Sequence, residues 1–294
     1  MYHAIVLEDV LDLINLSRSH PGVIPQRTVA VLREAAGRML HWARAMIHPD
    51  GGIAFFNDAA FGVAADFVAL SRYAERLGLP AVAKGRVPFN FLPPADTLSF
   101  ELSWGQQRVI CNSGTSRYGH GAMRQWERST AAHNTITVDG QDSSEVWGGF
   151  RVARRARPFG LRAERAGDTL QLCCGHDGYG RLVGKPMHYR TVEISDQEVV
   201  WRDEVSGRGH HRLTGYIPIH PEVAVEQMEE CHWRLKLPSG QSLILSRDSG
   251  LEFSIQEGWY SPEFGKSLRR PVLTWRLEGK LPLAAAFRLR EIGI

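Results

Sequence analysis

Apolar residues recur at helical spacing through the first eighty positions and at strand spacing after them. Ile5, Val6, Leu7, Leu11, Ile14 and Leu16 mark a first helix, which His20-Pro21-Gly22 stops. Pro25 suits the first turn of a second helix, along which Val29, Leu32, Ala36, Met39 or Leu40, Ala43 and Ile47 recur. His48-Pro49-Asp50-Gly51-Gly52 reads as a turn. Asn57-Asp58 then offers the N-cap of a third helix with Val63, Phe67, Leu70, Ala74 and Leu77 on one face, ended by Gly78 and Pro80. Three such helices make only a thin core. The first begins without a capping residue, as expected of a chain whose preceding helical partners are missing.

Beyond residue 80 the period changes to two. Short β-prone runs follow at 97–103, 108–112, 133–138, 169–174, 187–194, 198–203, 211–217, 222–227, 231–237, 241–246, 251–256 and 272–277. Many alternate, as in Trp233-Arg234-Leu235-Lys236-Leu237, and Asp139-Gly140, Ser239-Gly240 and Asp248-Ser249-Gly250 supply turns. Many even strands without intervening helices predict an antiparallel sandwich. The expected fold class is α+β. Its parts are a helical segment at 1–80, a connector at 81–95 containing Pro88, Pro93 and Pro94, and a large antiparallel β-sandwich at 96–294. No helical pattern returns after residue 81, and no fixed-period repeat occurs.

Composition removes several function classes. A hydrophobic fraction of 43% and a charged fraction of 23% exclude disordered and collagen-like chains. No stretch approaches the ~18 apolar residues of a membrane helix. The 35 basic and 32 acidic residues leave a net charge of +3, no footprint for nucleic acid. Cys111, Cys173, Cys174 and Cys231 lack zinc-ligand spacing. The first residues show no secretory signal, so location stays open. No Gly-x-Ser-x-Gly elbow, phosphate loop or dinucleotide fingerprint occurs.

The densest polar cluster runs from Asp96 to Pro158. Asn112, Tyr118, Arg128, His133 and Asn134 sit at strand ends or in turns of this one stretch. A lone His opening a β-run is usually structural. Asn amides, Arg and Tyr nearby are the groups that bind a sugar carboxylate or hydroxyls. An imidazole also ligates metal, though His133 with Asn112 falls short of the three or four ligands zinc wants. Trp147, Trp126, Trp259 and Tyr260 are candidates for sugar stacking or for core packing. Arg154, Arg155 and Arg157 read as a solvated edge strand or as a contact for an anionic glycan. His210-His211, in a Gly-rich turn, reads as exposed.

The cluster resembles the heparinase II/III-like family of polysaccharide lyases. The segments that carry the resemblance are Asp96-Thr97-Leu98-Ser99-Phe100-Glu101, Asn112-Ser113-Gly114-Thr115-Ser116-x-Tyr118 and, above all, Arg128-Ser129-Thr130-Ala131-Ala132-His133-Asn134-Thr135 through Val138-Asp139-Gly140. Ser144-Glu145-Val146-Trp147 and Phe150-Arg151-Val152 continue it, and Phe56-Asn57-Asp58-Ala59-Ala60 lies upstream. The resemblance implies the end of an (α/α) toroid followed by a β-sandwich. It implies cleavage of a uronate-containing acidic polysaccharide, a glycosaminoglycan or alginate, by β-elimination. A base removes the proton at C5, a polar group neutralises the carboxylate, and a Tyr or His protonates the departing O4. By resemblance, His133 and Tyr118 are the catalytic candidates and Asn112, Arg128, Asn134 and Trp147 the substrate-binding ones. His133 and Asn112 match metal-ligand positions, implying a structural divalent metal, zinc or calcium; Asn112 stands where Asp is common. Full-length relatives are often periplasmic.

Two departures follow. Only the final toroid helices fit in residues 1–80, and the His-x-His pair expected ahead of Asp96 is replaced by Phe91-Leu92-Pro93-Pro94-Ala95. The chain therefore reads as a truncated lyase, as a non-catalytic module that binds acidic glycan, or as an inactive remnant. Oligomeric state is not legible.

Overall fold

The computed structural model describes residues 1–81, 98–229 and 231–292. The expected connector and the Pro93-Pro94 stretch lie almost wholly outside these residues. Helices α1 (Tyr2–Ser19), α2 (Gln26–Ala45) and α3 (Phe67–Arg76) share one small core of Leu7, Leu11, Ile14, Ala36, Leu40, Leu70 and Ala74. The expected start of the third helix is corrected. Asp66 caps α3, its Oδ1 accepting the Ala69 amide at 2.7 Å, a contact worth about 1 kcal/mol. Asn57 cannot cap it, because residues 51–65 leave the helices and run onto the sandwich. There Phe61 bridges Glu263, and Phe55 and Ala59 pack with Cys111 and Tyr260.

The strands are β1 (Leu102–Trp104), β2 (Gln107–Ile110), β3 (Ile136–Val138), β4 (Val146–Trp147), β5 (Arg151–Val152), β6 (Pro158–Ala166), β7 (Thr169–His176), β8 (Met187–Ile194) and β9 (Glu198–Ser206). They continue as β10 (His210–Pro218), β11 (Ala224–Glu229), β12 (His232–Lys236), β13 (Ser242–Arg247), β14 (Glu252–Glu263), β15 (Lys266–Lys280) and β16 (Leu283–Glu291). An eight-stranded antiparallel sheet, ordered β11-β12-β13-β16-β9-β8-β7-β6, packs on a four-stranded one ordered β14-β15-β10-β3. Alternation explains the layer. Val192, Val199, Trp201 and Val205 from the large sheet meet Ile136, Leu213, Ile217 and Leu273 from the small one. Gly215 pairs with Trp275 across β10 and β15, and a Cβ there would sit 2.0 Å from the indole, so only glycine lets the ring lie flat over the strand.

Helical structure does return after residue 81, contrary to expectation. A short α4 (Ala122–Glu127) and a 3₁₀ turn (Thr130–Ala132) interrupt the strands inside the polar cluster. The basic run at 154–157 precedes β6 rather than forming a strand. His210 is exposed as expected, but His211 is buried, its Nδ1 2.7 Å from Asp139 Oδ2.

Candidate functional site

A cleft of about 210 Å³ opens where the 51–65 segment meets the polar cluster. Asn57 and Asp58 line it from one side, and Glu127, Arg128, His133 and Arg155 are among those lining it from the other. His133 ends the 3₁₀ turn. Its Nδ1–H donates to the Ser129 carbonyl at 2.8 Å, so the neutral ring carries its lone pair on Nε2. Arg128 points along the same wall and is tied down: Nη1 donates to Gly148 O at 2.9 Å and Nη2 to Arg151 O at 3.3 Å. Those carbonyls belong to the β4–β5 hairpin, so the arginine holds the hairpin against α4. Arg155 is exposed at the rim, without an ion-pair or hydrogen-bond partner among the described residues.

The cleft also holds acid. Asp58 Oδ1 lies 2.6 Å from Nη2 of Arg124, a buried arginine packed beside the rings of Tyr118 and Phe150. This ion pair fastens the 51–65 segment to α4. Glu127 Oε1 accepts the Ser116 amide at 2.7 Å, while its buried Oε2 has no hydrogen-bond partner among the described residues.

The predicted site residues divide. His133 and Arg128 come together in the cleft. Tyr118 lies beside it, its ring 5.4 Å from Phe150, a residue of the cleft wall. Its hydroxyl is 2.6 Å from that of Tyr2, and partial burial followed by this contact pushes the phenol well above its ordinary range, keeping it protonated at neutral pH. Trp147 is half exposed on β4, with the Arg151 guanidinium 4.7 Å above its ring. Asn112 and Asn134 are corrected as substrate contacts: both are fully buried. Asn112 Nδ2 donates to Phe55 O at 3.1 Å and its Oδ1 accepts the Asn134 amide at 3.3 Å. These amides satisfy backbone groups that the irregular chain leaves without ladder partners. Among the stacking candidates, Tyr260 is buried against Phe55, and Arg269 covers Trp259 at 3.7 Å.

The same burial bears on the metal that the resemblance implies. Asn112 is fully buried with its Oδ1 engaged by the Asn134 amide, and no group of three His, Cys, Asp or Glu among the described residues converges to hold a cation. By themselves Asn112 and His133 fall short of the ligand number that zinc or calcium takes.

Sequence reasoning passed over two buried polar networks. The first is the seam between helices and sandwich. Glu101 Oε2 accepts His48 Nε2 at 2.7 Å and the Phe55 amide at 3.1 Å, and Oε1 accepts the Asn112 amide at 2.7 Å. Burial pushes the Glu101 carboxyl up, but His48, Arg108 and the Asn112 amide together outweigh it and hold it below the ordinary range. Arg108 in turn grips Asp50 at 2.6 and 3.2 Å. The second is a file of His176, His188, Asp203 and Arg190 behind the His133 segment. Neither is visible as a motif, since its members lie many residues apart.

Residues 92–285 match the family model described as heparinase II/III-like, C-terminal. No curated protein matches the sequence. Among solved structures, a heparinase III gene product is similar over 99% of this chain and 51% of its own, at 15% identity and a TM-score of 0.79. Heparan sulfate lyase HepC from Pedobacter heparinus is similar over 100% of this chain and 52% of its own, at 15% identity and a TM-score of 0.75. A further heparinase III gives 99%, 53%, 14% and 0.74 in the same terms. The chain thus spans about half the length of these proteins.

Proposed function

The chain belongs to the heparinase II/III-like family through its C-terminal domain, and from that premise we propose that its cleft binds the uronate of an acidic polysaccharide for β-elimination. One observation carries the reading. The same cleft holds a histidine whose tautomer is set by the Ser129 carbonyl and an arginine, Arg155, that has no anionic partner among the described residues. In this assignment Arg155 meets the substrate carboxylate, with Arg128 on the same wall. It offsets the charge that develops on the carboxylate oxygens as the C5 proton leaves. Nε2 of His133 is the base, and its positive charge after proton transfer adds to that stabilisation. The Tyr118 phenol, protonated at neutral pH, is the proton source for the departing O4.

A second reading rests on one distance relation. Tyr118 is not among the cleft-lining residues but stands behind Phe150 and Arg124 and shares its hydroxyl with Tyr2, so acid and base are not both in the pocket. On that ground the chain by itself binds acidic glycan without turning it over. One experiment separates the two. The chain is mixed with heparan sulfate, hyaluronan and alginate, binding is measured by titration, and the absorbance of unsaturated uronate is followed. Turnover abolished by His133→Ala establishes the lyase reading. Binding that Arg155→Ala weakens, without turnover, establishes the module reading. Absence of any binding at low salt refutes both.

A further inference from the structure

Asn134, next to His133, has no ladder partner, and the sheet takes hold only from Thr135, whose carbonyl accepts the Tyr216 amide at 3.0 Å. Strand β3 begins only at Ile136, and the peptide groups of Asn134 stand outside its ladder. The Asn134 amide goes to Asn112 Oδ1, and its carbonyl accepts Arg190 Nη1 at 2.6 Å. The same Nη1 donates to Leu98 O at 2.7 Å. Arg190 is itself fixed from behind. Its Nε and Nη2 each lie 2.8 Å from one oxygen of Asp203. The fork has one allowed orientation, so the carbonyl it holds has one allowed place.

The hydrogen-bond directions behind this fork are forced. The Gly178 amide can only donate, so His176 Nδ1 accepts it at 3.1 Å. His176 Nε2–H therefore donates to His188 Nδ1 at 3.0 Å, and His188 Nε2–H to Asp203 Oδ1 at 2.7 Å. Both rings are neutral. At the far end Arg181 binds the carbonyls of Gly178, Asp142 and Ser143, and Ser143 is part of the cleft wall. One continuous file thus runs from the Asn134 carbonyl, next to His133, to Ser143 in the cleft wall.

We infer that Arg190 is a positioning residue, which sets the His133 segment in the cleft and is itself held in register by Asp203, His188 and His176. An extra proton on either ring has no acceptor in the file. The charged groups facing the rings are Asp203 on β9, Arg190 on β8 and Arg181 in the turn after β7, with the Tyr179 ring 5.4 Å from His176. Burial first, then the neighbouring rings and arginines, keep His176 well below its ordinary pKa.

The inference depends on the proposed function only for its second readout. Arg190→Lys keeps the charge and loses the fork. Val199→Ala, a core truncation in the same sheet, serves as the control. The first readout is the imidazole nitrogen NMR signals and titration of His133 in the full chain, with circular dichroism confirming the fold. The second is affinity for an unsulfated uronate-containing oligosaccharide. Arg190→Lys is expected to move the His133 signals and to weaken binding, because the His133 segment forms part of the cleft wall. Val199→Ala is expected to move neither. Should Arg190→Lys fail to fold, Asp203→Asn replaces it with the same expectation. His133 signals unchanged in the variant, or moved equally by Val199→Ala, overturn the inference. Signals that move while the parent chain binds no oligosaccharide leave the positioning role standing and refute the proposed function.

Discussion

Glu101→Gln tests whether the seam holds the helices to the sandwich. The glutamate serves three donors with two oxygens: His48 and the Phe55 amide on Oε2, and the Asn112 amide on Oε1. A glutamine keeps one acceptor. If its oxygen stays with His48 and Phe55, its NH₂ meets the Asn112 N–H donor to donor. Orphaning one buried donor costs about 1–3 kcal/mol, and turning two charge-assisted bonds into neutral ones costs about 1 kcal/mol each. The sum is about 3–5 kcal/mol, in line with breaking a buried charged pair. For a chain of this size that lowers Tm by roughly 6–10 °C. Urea unfolding followed by tryptophan fluorescence and by helical circular dichroism gives the value. The helical signal should be lost first in the variant, since the lost bonds join the two parts. The pH dependence has a defined sign. The Glu101 carboxyl is held below the ordinary value in the fold, so its contribution is complete above about pH 4.3 and is lost as pH falls through the lower, folded value. The gap between parent and variant should therefore narrow in acid. Equal urea midpoints at neutral pH, or a gap that does not narrow on acidification to about pH 3, would refute the reasoning.

Gly114→Ala should cost more than about 2 kcal/mol in urea titrations, because φ is +72° and a Cβ would meet the Ser261 carbonyl oxygen at 2.1 Å; an unchanged midpoint counts against the close approach of these segments. His220 is pushed down to about 4 by burial first and then by Arg108 and Arg270. The unfolded chain therefore takes up a proton below about pH 6.5 that the folded chain refuses, and stability should fall with a slope of up to about 1.4 kcal/mol per pH unit until the folded value is reached. His220→Gln should remove that share of the slope, and identical slopes would show that the ring titrates freely. Arg155→Ala should weaken binding of acidic oligosaccharide several-fold at low salt and hardly at all at high salt, since an exposed charge is screened over about 10 Å at 0.1 M; a salt-independent loss points to a packing role instead.

The sandwich was legible because its interior strands alternate. Where alternation fails, so did the reading. Strand β6 is exposed along its whole length at the sheet edge, and its pairing with β7 shifts between Phe159 and Arg162, so no period of two survives. Strand β16, with Leu283, three alanines and Phe287, has a helix-prone composition. Pairing with β9 and β13 on either side overrides it. The short helix α4 was hidden in the cluster because its six residues hold less than two turns of pattern. Of the predicted site residues, His133 and Arg128, singled out through the resemblance, do line the cleft. Asn112 and Asn134 misled for a physical reason: an amide that suits a sugar hydroxyl suits an orphaned peptide group equally well. Glu101 and His48 were in plain view but lie 53 positions apart, and no local rule pairs them.

Strand β3 has its ladder partner far down the chain: Thr137 pairs with Thr214, and β10 lies between β3 and β15 in the small sheet. During synthesis the His133 segment emerges long before β10 exists to receive it. Closing a loop of that length is paid for entropically before any pairing returns, which makes such contacts slow to form. The helices, by contrast, have neighbours available within a few dozen residues. Assembly therefore runs from the ends of the molecule toward its cleft. Binding at the proposed cleft would report late-forming contacts, so it should recover more slowly after dilution from denaturant than the helical signal does.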